Sequence, residues 1–368
     1  MNISVVGIGK LGLCFSLTLE KAGYDVIGVD VNENYVAQVN NKTLHSPEEG
    51  VSKALKRSNN FKATTSLKEG VIHSDLVFVV VATPSLSNGR YDHSQIDSLI
   101  DALTEMGPSQ EQKHLIVCCT VMPGYCDSIK EKLNKLNYTV SYNPEFIAQG
   151  TILRDQSRPD MILIGEGNSD IGDTLEKIYN QHTVNEPRFC RMSPLEAEIT
   201  KISLNCFLTT KIAYANMVGD IVRQAGGDPH KVLNAIGQDS RIGNKYLGYG
   251  YGYGGPCFPR DNRALSIFAS DTGLEALISD ASDKSNMKHL QNQIDHYVKH
   301  NTPEQEIVFD YVTYKPESTL LVESQQLAYA AGLAREGYKV RIKERSEVIH
   351  ALEQDYGDLF IYEERKND

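Results

Sequence analysis

Over roughly the first 165 residues, short β-branched and aliphatic runs alternate with longer stretches of amphipathic period. Residues 3–6, 26–29, 76–81, 115–119, 139–141 and 161–164 read as strands, nearly continuous in apolar character, as strands covered on both faces are. Residues 11–22, 33–40, 95–106 and 124–135 carry the helical repeat between them. This alternation predicts an α/β fold with a doubly wound parallel sheet. Right-handed crossovers would place the loops after successive strands along one rim, where such sheets bind ligands. From Ser193 the texture changes: SPLEAEITKISLNCFLTTKIAYANMVGDIVRQAGG keeps a helical period for some thirty residues before a Gly-Gly stop. A central domain of long helices is expected there, continuing through the Gly/Tyr tract 248–255 and helices from 262 and from 275 to about 301. A polar linker at 300–306 leads to a small, reduced α/β unit built from IVFDYVTYKP, a helix, GYKVRIKE and LFIYEE. The expected domains are 1–190, 191–302 and 303–368.

Charge narrows the classes of partner. Across 368 residues, 37 Lys and Arg face 48 Asp and Glu, a net charge of −11 that argues against a nucleic-acid groove or an anionic membrane surface. MNISVVGIGKLG opens directly on a strand, without a basic stretch and apolar core, and no apolar run approaches a membrane span, so the expected location is cytoplasmic. The seven cysteines include no CxxC pair, which fits neither a disulfide framework nor a thiolate zinc site, and no metal is expected. Most read as small buried core residues.

Gly7-Ile8-Gly9-Lys10-Leu11-Gly12 lies between the first strand and the first helix, where glycines permit a tight turn and let a pyrophosphate approach backbone amides. Such a turn is weak alone. Here the next strand ends in Asp30, eighteen residues after Gly12, about where an acid accepts hydrogen bonds from an adenosine ribose. A carboxylate there repels a 2′-phosphate, and no Arg follows within 31–35, so NAD is expected rather than NADP on a Rossmann-like domain.

GYGYGGPCFPRD sets Cys257 after a Gly-rich tract and four residues before Asp261, a thiol at a turn or helix start, where amide dipoles favour the nucleophilic thiolate. Alone, a cysteine beside Pro256 and Pro259 reads as structural. Lys201 and Asn205, four apart on the long helix, project from one face and would hold an oxyanion, although Lys201 alone reads as a solvated face residue.

Taken together these pieces resemble the UDP-glucose/GDP-mannose dehydrogenase family over nearly the whole chain. Six separated blocks carry the match: GIGKLG with Asp30; ATP at 82–84; CTVMPG at 119–124; NPEFIAQG at 143–150; Lys201-x3-Asn205 with Lys211-Ile212; and DSRIG (239–243) followed by GYGYGGPCFPRD. The resemblance implies that Cys257 is the nucleophile, that Lys201, Asn205 and Asp261 organise an oxyanion and a water, and that Thr120 and Glu145 complete the site. Thr83, Pro84 and Thr120 join Gly7, Gly9, Lys10, Leu11, Gly12 and Asp30 in holding the cofactor. Phe146, Ile147, Tyr246, Gly254 and Lys315, with Lys201 and Asn205, would frame the sugar and nucleotide, while Arg241 would reach a substrate in the neighbouring subunit of a homodimer built on the central helix. The implied reaction is a four-electron oxidation of a nucleotide sugar from C6 alcohol to carboxylate with NAD, through a thiohemiacetal and a thioester. Around the cysteine the chain looks closer to the UDP-glucose enzymes, which form UDP-glucuronate, than to the GDP-mannose or UDP-N-acetylhexosamine ones.

The chain departs from the family pattern at Pro256 for a common Ser, Arg260 for Lys, Gln149 for Glu and Met161 for Arg, none of which removes a proposed catalytic group. Val322 stands where a uridine-side Arg is common, which puts nucleotide recognition in doubt. Two rivals remain at this point. A two-electron dehydrogenase of the 3-hydroxyacid or 6-phosphogluconate type also joins a Rossmann domain to long helices and uses a Lys-x3-Asn pair, but has no need of Cys257. A non-catalytic dinucleotide-binding protein has no need of Cys257, Lys201, Asn205 and Asp261 together.

Overall fold

Eight strands form the main sheet: β1 (Asn2–Val6), β2 (Asp25–Val29), β3 (Phe61–Thr64), β4 (Leu76–Val79), β5 (Lys113–Val117), β6 (Tyr138–Tyr142), β7 (Met161–Gly165) and β8 (Arg188–Met192). The computed structural model describes residues 1–147, 150–316 and 318–365; Gln149 lies outside them. The chain divides into two compact units, Met1–Lys201 and Ile202–Asp368. In the first, the strand order is β3-β2-β1-β4-β5-β6-β7-β8. Strands β1 to β6 are parallel, β7 meets β6 antiparallel at Tyr142 and Gly165, and β8 runs parallel to β7. The loops after β7 and β8 therefore leave by the opposite rim, which corrects the expectation of one shared rim.

Eight helices cover the sheet: α1 (Lys10–Lys21), α2 (Glu33–Asn40), α3 (Val51–Arg57), α4 (Leu67–His73), α5 (Ser94–Met106), α6 (Tyr125–Lys135), α7 (Ile152–Ser157) and α8 (Ser169–His182). Alternate strand residues feed two cores, as the two-residue period of a strand requires. Ile3, Val5, Phe78, Ile116 and Ile164 pack with α1, α3 and α8; Val6, Val77, Val79, Leu115 and Leu163 pack with α5 and α6.

Helix α9 (Pro194–Gln224) is continuous for 31 residues and runs from the first unit into the second. Its start is a capping box: Glu196 Oε2 accepts the Ser193 N–H at 2.8 Å while Ser193 Oγ accepts the Glu196 N–H at 3.4 Å. The first turn sits hard on β7, where a Cβ at Gly165 would come within 2.8 Å of Pro194 Cα and 2.9 Å of Ala197 Cβ. The second unit continues with α10 (Pro229–Gly237), α11 (Phe258–Asp271) and α12 (Leu277–His300). It ends on β9 (Ile307–Phe309), α13 (Gln325–Arg335), β10 (Val340–Glu344), α14 (Ser346–Tyr356) and β11 (Ile361–Glu364). The last three strands form a parallel sheet of order β11-β10-β9 with its own core around Leu333, Val340, Ile342 and Leu352. Among the described residues no helix is long and apolar enough to cross a membrane.

Candidate active site

The turn between β1 and α1 has the shape a pyrophosphate needs. Gly7 has φ +88°, and a Cβ there would lie 2.6 Å from the Val80 carbonyl oxygen; a Cβ at Gly12 would lie 2.0 Å from the Gly7 oxygen. At Gly9 a Cβ would meet nothing within 4 Å, so the space beside the helix start is open. Gly9 is the N-cap of α1, no side chain caps it, and no acid stands in the first turn, which leaves the end of the helix suited to an anion. Asp30 follows β2 and already accepts the Asn32 N–H at 3.1 Å, which orients its carboxylate. The Tyr35 hydroxyl donates to the Ile8 carbonyl at 2.7 Å and braces the turn from α2.

Loops beyond β4, β5 and β6 carry the next groups. Thr83 Oγ1 donates to the Thr120 carbonyl at 2.7 Å, and His93 Nε2 accepts the Met122 N–H at 3.2 Å. Burial holds the His93 imidazole below its ordinary range despite Asp97 and Asp92, in keeping with an acceptor nitrogen. Gly124 is the N-cap of α6 at φ +91° and offers no side chain; Glu198 of α9 caps it instead, accepting the N–H groups of Gly124 at 2.6 Å and Cys126 at 2.9 Å. One turn further along α9, buried Lys201 donates to the Glu145 carbonyl at 2.7 Å and lies 4.3 Å over the Phe146 ring. Burial pushes the Glu145 carboxyl up to about 7, with the Lys201 ammonium and Gln156 pulling it back.

In the second unit, Cys257 is the N-cap of α11 and is the exposed member of the seven cysteines. Burial pushes Cys14 and Cys206 up to about 12 and Cys118 and Cys126 well above the ordinary thiol range, which makes them inert. One turn into the helix, fully buried Asp261 accepts from Asn205 Nδ2 at 2.6 Å and from Arg260 Nε at 3.1 Å. The Asp261 carboxylate, four residues after Cys257, is thus fixed by an amide and a guanidinium.

The structure brings Glu145, Phe146 and Lys201 together, Thr83 with Thr120, and Asn205 with Asp261. Arg241 is exposed and paired bidentately with Asp239 at 3.0 and 2.7 Å. Tyr246 is exposed at φ +61° and meets the Phe258 ring edge-on, Lys315 lies 5.5 Å over the Tyr314 ring, and Ile147 packs on a core. Sequence reasoning missed Glu198 and His93. Glu198 carried one available signal, its position one turn before Lys201 on the same helix; its partners lie more than seventy residues away.

An open glycine turn for a pyrophosphate, with an acid beyond it and an exposed thiol elsewhere, is what an NAD-linked oxidoreductase that uses covalent capture requires. The comparison with known sequences agrees: residues 1–183 match the NAD binding domain, and residues 195–288 the central domain, of the UDP-glucose/GDP-mannose dehydrogenase family. The chain belongs to that family. It is 29% identical to the GDP-mannose 6-dehydrogenase of Pseudomonas aeruginosa over 97% of this chain and 84% of that one. To the UDP-glucose 6-dehydrogenase of Haloferax volcanii it is 30% identical over 80% of this chain and 71% of that one. Among solved structures it is similar to a UDP-glucose dehydrogenase from Pyrobaculum islandicum, with TM-score 0.87 at 28% identity, covering 99% of this chain and 86% of that one. A ternary complex of the P. aeruginosa GDP-mannose dehydrogenase gives TM-score 0.61 at 28% identity over 99% and 88%.

Proposed function

We propose that the chain oxidises the C6 alcohol of UDP-glucose to the carboxylate of UDP-glucuronate, using Cys257 as a covalent catalyst. The observation that carries this reading is the exposed thiol at the start of α11, one turn before a buried acid held by Asn205. Bound NAD, held by the Gly7–Gly12 turn, Asp30, Thr83, Pro84 and Thr120, would supply the hydride acceptor for each of two oxidations. Loss of hydride from C6 and of the hydroxyl proton turns the alcohol into the aldehyde. The Cys257 thiolate then adds to that carbon and the oxygen takes a proton, giving a thiohemiacetal, which loses a second hydride from the same carbon together with its hydroxyl proton to give a thioester. Lys201 and Asn205, one turn apart on α9, donate to the oxygen while it carries charge. Glu145, with its carboxyl near neutrality, accepts a proton from the water that attacks the thioester, and the thiolate leaves.

The choice of UDP-glucose is supported by the texture around Cys257 and by the likeness to the P. islandicum enzyme. The P. aeruginosa relative, matched over 97% of this chain, favours GDP-mannose as the second reading. We take residues 191–302 as the dimerisation and catalytic part, with Phe207, Tyr214, Met217 and Ile221 forming an exposed apolar stripe along α9 that a second copy would cover. A panel of nucleotide sugars assayed with NAD tests the reading. The expected result is turnover of UDP-glucose with two NADH per sugar. One NADH per molecule oxidised would remove the thioester scheme.

A further inference from the structure

The Gly/Tyr tract that leads to Cys257 is held along its length by one face of α12. The tract begins against α9, where Asn216 Oδ1 accepts the Gly250 N–H at 3.1 Å and Asn216 Nδ2 donates to the Tyr251 carbonyl at 3.2 Å. His289 and Asn286, one turn apart on α12, grip the same backbone from the other side. The buried His289 ring faces the Asp220 carboxylate through Nδ1 at 2.9 Å and, through Nε2 at 2.7 Å, the Gly250 carbonyl, which can only accept. Asn286 pairs reciprocally with Tyr253, accepting its N–H and donating to its carbonyl, both at 2.9 Å.

The glycines are what let the tract lie so close. A Cβ at Gly252 would fall 2.3 Å from Asn286 Oδ1, one at Gly254 would fall 2.1 Å from the Glu323 carbonyl oxygen, and one at Gly255, φ +80°, would fall 2.5 Å from the Tyr314 ring. Two residues later comes Cys257, whose place at the N-cap of α11 depends on where this segment delivers the chain.

We propose that Asn286 and His289 are positioning residues for Cys257, forming a clasp on the backbone of residues 250–253 that holds the thiol at the helix start. The proposal rests on Cys257 as the reacting thiol and not on which sugar is oxidised. In the clasped tract the thiolate is stabilised by the helix end; a loosened tract lets the N-cap residue leave it.

The test is the rate at which iodoacetamide alkylates Cys257 in the full chain at neutral pH, with the modified peptide identified by mass. N286D keeps an acceptor for the Tyr253 N–H but sets an oxygen against its carbonyl. H289N keeps a donor near Nδ1, toward Asp220, and loses the one toward Gly250; H289Q does the reverse. The Gln293 contact to the Gly250 carbonyl, at 3.2 Å, remains in all three. N286D and H289N should slow alkylation about fivefold, the scale of a helix-terminus effect on a charge, while H289Q stays within about twofold of the wild type. In the NAD-linked assay kcat should fall in N286D with the KM for NAD unchanged. Wild-type alkylation in folded N286D and H289N, or H289Q slowed as far as H289N, overturns the clasp; if N286D does not fold, the two His289 variants decide it. A folded C257A chain that still forms the uronate would overturn the nucleophile, a result separate from these rates.

Discussion

Glu145→Gln separates the cost of holding a carboxyl near neutrality from its use. Burial brings that carboxyl from 4.5 up to about 7, against the pull of Lys201. At about 1.4 kcal/mol per pH unit, ionising it in the folded chain costs about 3 kcal/mol more than in the unfolded one. Because the folded-state value is the raised one, the stabilising contribution of the neutral acid is complete below 4.5 and is lost as pH rises toward 7, where the folded carboxyl itself ionises. Glutamine has nothing to ionise. Between pH 5 and pH 8 the variant should therefore gain about 2.5 kcal/mol relative to the wild type, or roughly 5–8 °C in Tm for a unit of this size. Melting curves of both proteins at the two pH values, without ligand, measure it. The same variant should release two NADH per subunit quickly and then stall, with a sugar adduct on Cys257 visible in the intact mass. An equal Tm difference at both pH values would show that burial does not hold the carboxyl, and wild-type turnover without adduct would remove Glu145 from hydrolysis.

Asp30→Ser should raise the efficiency with NADP relative to NAD by about tenfold or more, since a like charge facing the 2′-phosphate is worth on the order of 1–2 kcal/mol; equal efficiencies with both cofactors in the wild type would contradict the reading of Asp30. Cys257→Ser should bind NAD and substrate yet stall, with a slowly hydrolysed ester detectable by mass, and Cys257→Ala should show no adduct; near-normal uronate formation by folded Cys257→Ala would sink the covalent scheme. An Arg241→Ala chain mixed with a Cys257→Ala chain should regain partial activity if Arg241 serves the adjacent subunit, and no recovery in verified hybrids would mean that it acts within its own chain or not at all.

Burial on both faces made the central strands legible, because β1, β2, β4, β5 and β7 are buried along nearly their whole length and each keeps an apolar run. The two edge strands were not. In β8, RFCRM is nowhere fully buried, and β3 buries only its last two residues, so neither carries the apolar run that marks a covered strand. Helices α3, α4 and α7 have seven, seven and six residues, too few to establish a 3.6-residue period, whereas α9 repeats it for 31. The reversal at β7 leaves no local trace, since strand direction is set by the connection and not by composition.

The site divides along the same physical line. Groups whose local setting depends on their immediate neighbours were readable: Gly7 and Gly12 in a tight turn, Asp30 after its strand, Cys257 at the start of its helix. Groups that act across the fold were not, and the Gly/Tyr tract shows why. As sequence it looks like low complexity, one small residue exchangeable for the next. In the folded chain Gly252, Gly254 and Gly255 each exclude a Cβ for a different reason, an amide on α12, a carbonyl at Glu323 and a ring at Tyr314. Replacing any one of them would disturb a different contact, yet all three stand on the path from the α12 clasp to the same thiol. The apparent redundancy of the tract is therefore a series of independent close approaches whose common product is the position of Cys257.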